Sequence, residues 1–214
     1  MCGRMTLAKA DWSTIARLLG ADDDAGDDAW LPRFNVAPAQ PHPIVRAAGA
    51  RRTLARAAWG FASRDGRPII NGRAESLGER SRFAEALRER RCVVPADGYF
   101  EWRDGQPYWF HAPDDRLLAL AGLWEPSPLG GGARFLVITT AANGEVRAVH
   151  DRMPALLTPA CVAEWLARPA LELLVPAPDG TLTATPVSPR VGTTANDDAT
   201  LLDAVRPRGQ LSLL

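Results

Sequence analysis

The sequence predicts an α+β fold, mainly antiparallel and organised as a single domain over residues 1–214. Three observations lead there. Short β-type runs outnumber helical ones, and most follow one another through tight turns such as Asp104-Gly105 instead of crossover helices. No Ser/Gly linker or internal repeat divides the 214 residues, a length that supports one substantial core. No glycine-rich phosphate loop of the doubly wound kind is present.

Taken in order, Asp11 is placed to cap a helix through Trp12, Ile15, Leu18 and Leu19, which Gly20 ends. A second helix runs from about Gly78 to Arg90, with Phe83, Ala84 and Leu87 at helical spacing. Thr158-Pro159 is a cap followed by a first-turn proline, opening a third helix through Cys161, Val162, Trp165 and Leu166. Asn196 is read as the cap of a fourth, reaching about Val205, with residues 205–214 as a tail. Strands are expected at 43–46, 53–59, 92–94, 99–102, 108–111, 117–123, 135–140 and 155–157.

Composition is that of an ordinary globular protein, 46% hydrophobic and 23% charged, and no apolar run reaches the roughly 18 residues a membrane span needs. A secretory signal cannot be drawn through MCGRMTLAKADW, so a cytoplasmic location without membrane partners is expected. Formal net charge is zero, yet residues 51–91 hold eleven arginines against five acidic residues, an excess of six positive charges. For residues 79–91 a helix face laced with Arg/Glu pairs accounts for much of this, while the other arginines are equally consistent with a nucleic-acid partner. No heptad points to oligomers, and a monomer is expected.

The three cysteines, Cys2, Cys92 and Cys161, form no C-x-x-C pair, so neither a disulfide framework nor a zinc site is indicated, and no metal or cofactor is expected. Cys92 and Cys161 sit in apolar runs that suit buried thiols, whereas Cys2 does not. Removal of Met1 would leave Cys2 with a free α-amine beside its thiol. Such an aminothiol attacks an aldehyde to give a Schiff base and then closes to a thiazolidine, or its thiol attacks an acyl carbon. Lys9 is the only lysine, which leaves the α-amine as nearly the sole candidate for imine chemistry.

Several separated motifs then resemble the SOS response-associated peptidase family over essentially the whole chain. They are Met1-Cys2-Gly3-Arg4, the run PRFNVAPAQ at 32–40, Trp59-Gly60, NGRAES at 71–76, RCVVPADGYFEW at 91–102, AGLWE at 121–125, TTAAN at 139–143 and HDRMP at 150–154. Gly72 stands where the family usually has alanine and Ser76 where it has threonine. The resemblance implies a twisted, barrel-like sheet with flanking helices. It also implies autoproteolytic loss of Met1, binding of single-stranded DNA, and a thiazolidine crosslink between Cys2 and the aldehyde of an abasic site, reversed through Glu101 or accompanied by lyase chemistry. Carried over by position, Cys2, Asn71, Glu101 and His150 are catalytic, while Arg4, Trp59 and Arg73 contact DNA.

The chemistry of these residue types agrees. A buried glutamate shuttles protons during carbinolamine dehydration, a histidine protonates a sugar oxygen, and an asparagine offers donor and acceptor without charge. Arginine clamps phosphates and tryptophan offers a stacking face. Each residue also has a plainer reading: Glu101 as the polar face of a strand, Trp59 and Trp124 as core aromatics, His150 as a loop residue, Asn71-Gly72 as a turn. Two other functions fit a Met-Cys start: a thiol peptidase or amidase acting on other proteins, and a non-enzymatic single-stranded DNA-binding module in which Cys2 is incidental.

Overall fold

The computed structural model describes residues 2–23, 31–49, 51–78, 81–128, 130 and 132–207. In chain order its strands are β1 (Met5–Leu7), β2 (Asp22–Asp23), β3 (Arg33–Val36), β4 (Pro41–Ala48), β5 (Arg51–Trp59), β6 (Asn71–Arg73), β7 (Arg91–Ala96), β8 (Gly98–Arg103), β9 (Gln106–His111), β10 (Leu118–Pro126), β11 (Ala133–Ala141), β12 (Arg152–Pro154) and β13 (Thr183–Pro186). Four α-helices, α1 (Trp12–Leu19), α2 (Ser81–Glu89), α3 (Gly144–Arg147) and α4 (Pro159–Ala167), complete the framework.

The strands form two mostly antiparallel sheets, as the α+β expectation required. A five-stranded sheet has the order β13-β9-β8-β1-β3, and a larger one runs β12-β11-β10-β7-β4-β5-β2 with β6 beside β11. Parallel pairing of β11 with β5, through Phe135↔Trp59, joins the two ends of β11-β10-β7-β4-β5 into a closed ring. The large sheet is therefore a small barrel, filled by side chains such as Ile44, Val94, Leu120 and Val137, all without solvent exposure.

β7 passes into β8 through a single residue, Asp97, so one stretch of chain leaves the barrel and enters the small sheet. Asp97 fastens the junction: its Oδ2 accepts the backbone N–H groups of Ala8 and Lys9, at 2.5 and 3.0 Å, just beyond β1. Gly98 is needed beside it, because a Cβ there would lie 2.3 Å from Trp109 Nε1 and 2.5 Å from the Phe110 carbonyl.

The helices start and stop where their caps dictate. Asp11 accepts from Thr14 N at 2.7 Å, and Gly20, with φ 60°, ends α1 by donating to Ala16 and Arg17. Thr158 accepts from Cys161 N at 3.3 Å to open α4. Arg91, one of the clustered arginines, is buried and serves the fold: it donates to the carbonyls of Leu87 at 2.7 Å, Trp165 at 2.7 Å and Leu166 at 3.0 Å, closing the ends of α2 and α4 together.

Two expectations need correction. The fourth helix, expected from Asn196 to about Val205, is reduced to a short 3-10 turn, Ala199–Leu202, preceded by another at Pro189–Gly192. Asn196 spends its amide on Arg190 O at 2.8 Å, and Asp198 caps the later turn. The strand expected at 155–157 reduces to one bridge, Leu120↔Leu156, because β12 forms just before it. The expected tail falls largely outside the described residues. No helix among the described residues is long and apolar enough to cross a membrane.

Candidate active site

Cys2 lies at the entry to β1 and is 1% exposed. β1 is paired on both sides, with β8 through Met5↔Tyr99 and with β3 through Met5↔Val36, so the beginning of the chain is built into the small sheet. Arg4 adds a long-range tie, donating to Asn35 Oδ1 at 2.9 Å, Val191 O at 2.5 Å and Gly192 O at 3.0 Å. The Cys2 sulfur sits 3.8 Å from the Arg4 carbonyl. Burial pushes the thiol far above its ordinary value, and the negative charge of Glu101 adds to the effect, so sulfur keeps its proton at neutral pH.

Asn71 comes from the other sheet. Parallel pairing with β11 sets it opposite Val137, and its Nδ2 donates to the Cys2 carbonyl at 2.8 Å. The same amide's Oδ1 is buried without a hydrogen-bond partner among the described residues. Gly72 faces the opposite way, where a Cβ would meet Leu77 and Leu136 at 3.1 and 3.3 Å.

Glu101, on β8, is 3% exposed, and burial holds its carboxyl above the usual carboxylate range, with the positive charge of His150 pulling the other way. A carboxyl poised in this manner exchanges protons near neutral pH more readily than an exposed one. His150 follows α3, which Asn143 caps by accepting Val146 N at 3.1 Å, and its own backbone N–H donates to Val146 O at 2.8 Å.

The His150 ring has two contacts at Nδ1, the Arg152 backbone N–H and Asp151 Oδ1, both at 3.0 Å. They belong to different protonation states, since accepting an N–H leaves the proton on Nε2 whereas bonding to a carboxylate needs Nδ1–H. The peptide N–H is fixed by the backbone, whereas the Asp151 side chain is 86% exposed. Arg152 is itself anchored, donating to both Glu75 oxygens at 2.7 and 2.9 Å and to Thr139 O at 2.7 Å. Glu75 and Arg152 lie within the motifs NGRAES and HDRMP, but their pairing is a tertiary fact that spacing does not reveal.

The expected DNA contacts separate into three cases. Arg73 is exposed on β6, two residues from Asn71 and therefore on the same face of the strand. Arg4 already spends N–H groups on three acceptors in the fold, and burial lowers its pKa. Trp59 is fully buried, stacked on Phe135 with centroids 6.1 Å apart, and its Nε1 donates to Ile70 O at 3.0 Å. It offers no face to a base here, and the core reading of this residue is the one that fits.

An apolar cleft of about 950 Å³ lies elsewhere, between α1 and α4, lined by residues such as Leu18, Leu117, Leu157 and Val175. None of Cys2, Asn71, Glu101 or His150 lines it.

Residues 1–194 match the family described as SOS response associated peptidase, SRAP. The chain belongs to the SRAP family. It is 32% identical over 180 residues to abasic site processing protein YoqW of Bacillus subtilis (strain 168), covering 78% of this chain and 80% of that one. Abasic site processing protein YedK of Escherichia coli (strain K12) is 30% identical over 224 residues, 96% of this chain and 100% of its own. Abasic site processing protein HMCES of Xenopus tropicalis is 28% identical over 233 residues, 85% of this chain and 69% of its own. Among solved structures, a protein from Bacteroides thetaiotaomicron superposes with a TM-score of 0.80 at 23% identity, over 96% of this chain and 100% of that one, a likeness of fold.

In this SRAP chain the two sheets thus supply different parts of one site. The small sheet brings a buried thiol and a carboxyl, the barrel brings an uncharged amide, and the connection between α3 and β12 brings a histidine.

Proposed function

We propose that this protein processes abasic sites in single-stranded DNA by covalent capture on Cys2 after removal of Met1. The observation that carries the proposal is the setting of Cys2, whose carbonyl is held by Asn71 while Glu101, a buried carboxyl raised in pKa, lies within its electrostatic reach. The family match and the relatives named abasic site processing proteins support it.

Because burial keeps the thiol protonated, the α-amine acts first. Its lone pair attacks the aldehyde carbon of the ring-opened sugar, the C=O pair moves to oxygen, and a proton passes from nitrogen to that oxygen. Glu101 donates the second proton, so that water leaves as the C=N bond forms, and its carboxylate takes back the proton remaining on nitrogen. Sulfur then adds to the imine carbon, its proton goes to nitrogen, and a five-membered thiazolidine closes. The unpartnered Oδ1 of Asn71 is suited to accept an N–H of the amine once Met1 has gone. His150 is suited to steady the ring oxygen of the closed sugar by a hydrogen bond from its imidazole N–H, while the C1 hydroxyl proton passes to that oxygen, the ring C–O bond breaks and the aldehyde is released. Arg73 offers a cation for the neighbouring phosphate.

The test uses the Met1-processed protein and a single-stranded oligonucleotide carrying one abasic site. A shifted band that survives denaturation and is absent with Cys2→Ala is expected, and mass spectrometry of the adduct should report loss of one water. If Met1 is gone and no such band forms, covalent capture is wrong. Peptide hydrolysis in trans that needs Cys2 would then favour a thiol peptidase, and salt-sensitive binding that survives Cys2→Ala would favour a passive DNA-binding module.

A further inference from the structure

We propose that Tyr99 is an additional member of this site, its hydroxyl donating to the oxygen that the captured aldehyde carbon carries and then loses as water. The inference rests on the covalent-capture reading and adds a residue to it. Tyr99 and Glu101 stand two apart on β8, so the alternation of the strand turns both side chains to the same face. Tyr99 is fully buried in the same apolar cluster as Cys2, whereas Phe100, from the opposite face, belongs to a different cluster with Val187 and Leu201.

The ring is fixed from behind by Phe110, stacked with centroids 5.3 Å apart. Its oxygen, however, has no hydrogen-bond partner among the described residues. A buried hydroxyl left unsatisfied costs about 1–3 kcal/mol, and folds rarely carry that without a use. Nothing in the packing of Tyr99 requires the oxygen, since phenylalanine would fill the same stack.

The surroundings settle which role the hydroxyl plays. Burial holds the proton on the phenol well above its ordinary range, and among the described residues Cys2, Glu101 and Glu145 act in the same direction. It is a donor and no base. In the capture reaction one atom needs such a donor, the aldehyde oxygen, which gains negative charge as nitrogen attacks and leaves with two protons when the imine forms. Glu101 supplies a proton to that oxygen, and the Tyr99 O–H stabilises it throughout without itself being consumed.

Tyr99→Phe removes one oxygen and keeps the ring. The thermal midpoint should stay the same or rise, because an unsatisfied group has been deleted, while the rate of crosslinking to an abasic oligonucleotide should fall at least about tenfold, as for loss of one oxyanion donor. Affinity for the same oligonucleotide without the lesion should not change. A wild-type rate in Tyr99→Phe overturns the inference, and so does a loss of stability with an unchanged rate, which would make the hydroxyl structural. If the wild-type protein itself forms no crosslink, it is the parent reading that has failed, and the two failures are thus distinct.

Discussion

His42 makes this protein's stability fall in mild acid by an amount that can be worked out beforehand. It lies on β4 with no solvent exposure, its Nε2 is 2.7 Å from the Pro95 carbonyl on β7, and its ring sits 5.9 Å from that of Phe135. A carbonyl only accepts, so Nε2 carries the proton of the neutral ring. Burial lowers the pKa from 6.5 to about 4, with the positive charge of Arg33 acting in the same direction and the Pro95 contact against it. As pH falls, the unfolded chain therefore takes up this proton before the folded one does. The stabilising contribution is complete above about pH 6.5 and is lost as pH drops toward 4. The full separation corresponds to about 3 kcal/mol, of which about 2 kcal/mol is gone by about pH 5. Asp97 and Glu101, raised by burial, contribute with the opposite sign, so the comparison needs a variant that lacks only the imidazole. His42→Gln keeps an N–H donor for Pro95 and has no proton to bind. Urea unfolding of both proteins at intervals from about pH 7.5 to 4.5 should give curves that converge as pH falls, the wild-type protein losing about 2 kcal/mol more by about pH 5. Parallel curves would refute the reasoning.

Two further expectations follow from the placement of the candidate DNA contacts. Trp59→Ala should cost about 3–5 kcal/mol in urea unfolding, since it empties a packed core position and strips the Ile70 carbonyl of its donor. Full stability with weakened DNA binding would show that the ring serves DNA instead. Arg73→Ala should leave unfolding unchanged and lower affinity for single-stranded DNA of any sequence, reducing the slope of log K against log salt by about 0.7. An unchanged slope would remove Arg73 from the interface.

Where local chemistry decides structure, the sequence was readable. Asp11 and Gly20 bound α1 as expected, Thr158-Pro159 opens α4, and the long runs at 53–59, 117–123 and 135–140 are all strands. What escaped was short and defined from a distance. Asn71-Gly72 has the composition of a turn but is a strand because β11 lies parallel beside it, and three residues carry too little periodicity to announce that. β1 and β12 are equally brief. Asn196 has the side chain of a helix cap, yet Arg190 O claims its amide. In the site, motif resemblance pointed to Cys2, Asn71, Glu101 and His150, but it could not separate Trp59, sealed in the barrel, from Arg73, exposed two residues beyond Asn71. Tyr99 carried a signal that pattern reading alone does not weigh: a polar tip two residues from a glutamate on one strand.

The ties that seal Cys2 also set a timetable for synthesis. β1 finds its partner in β8 only after residues 98–99 exist, and Arg4 reaches carbonyls at Val191 and Gly192, near the far end of the chain. At ordinary elongation rates the ribosome needs on the order of 5 to 20 s for each hundred residues, and throughout that interval the second residue has nowhere to be buried. A processing enzyme working beside the ribosome thus meets Cys2 in the open, while one arriving after release meets it buried. If Met1 is removed, as the proposed function requires, its removal is expected to be faster on the nascent chain than on the refolded protein.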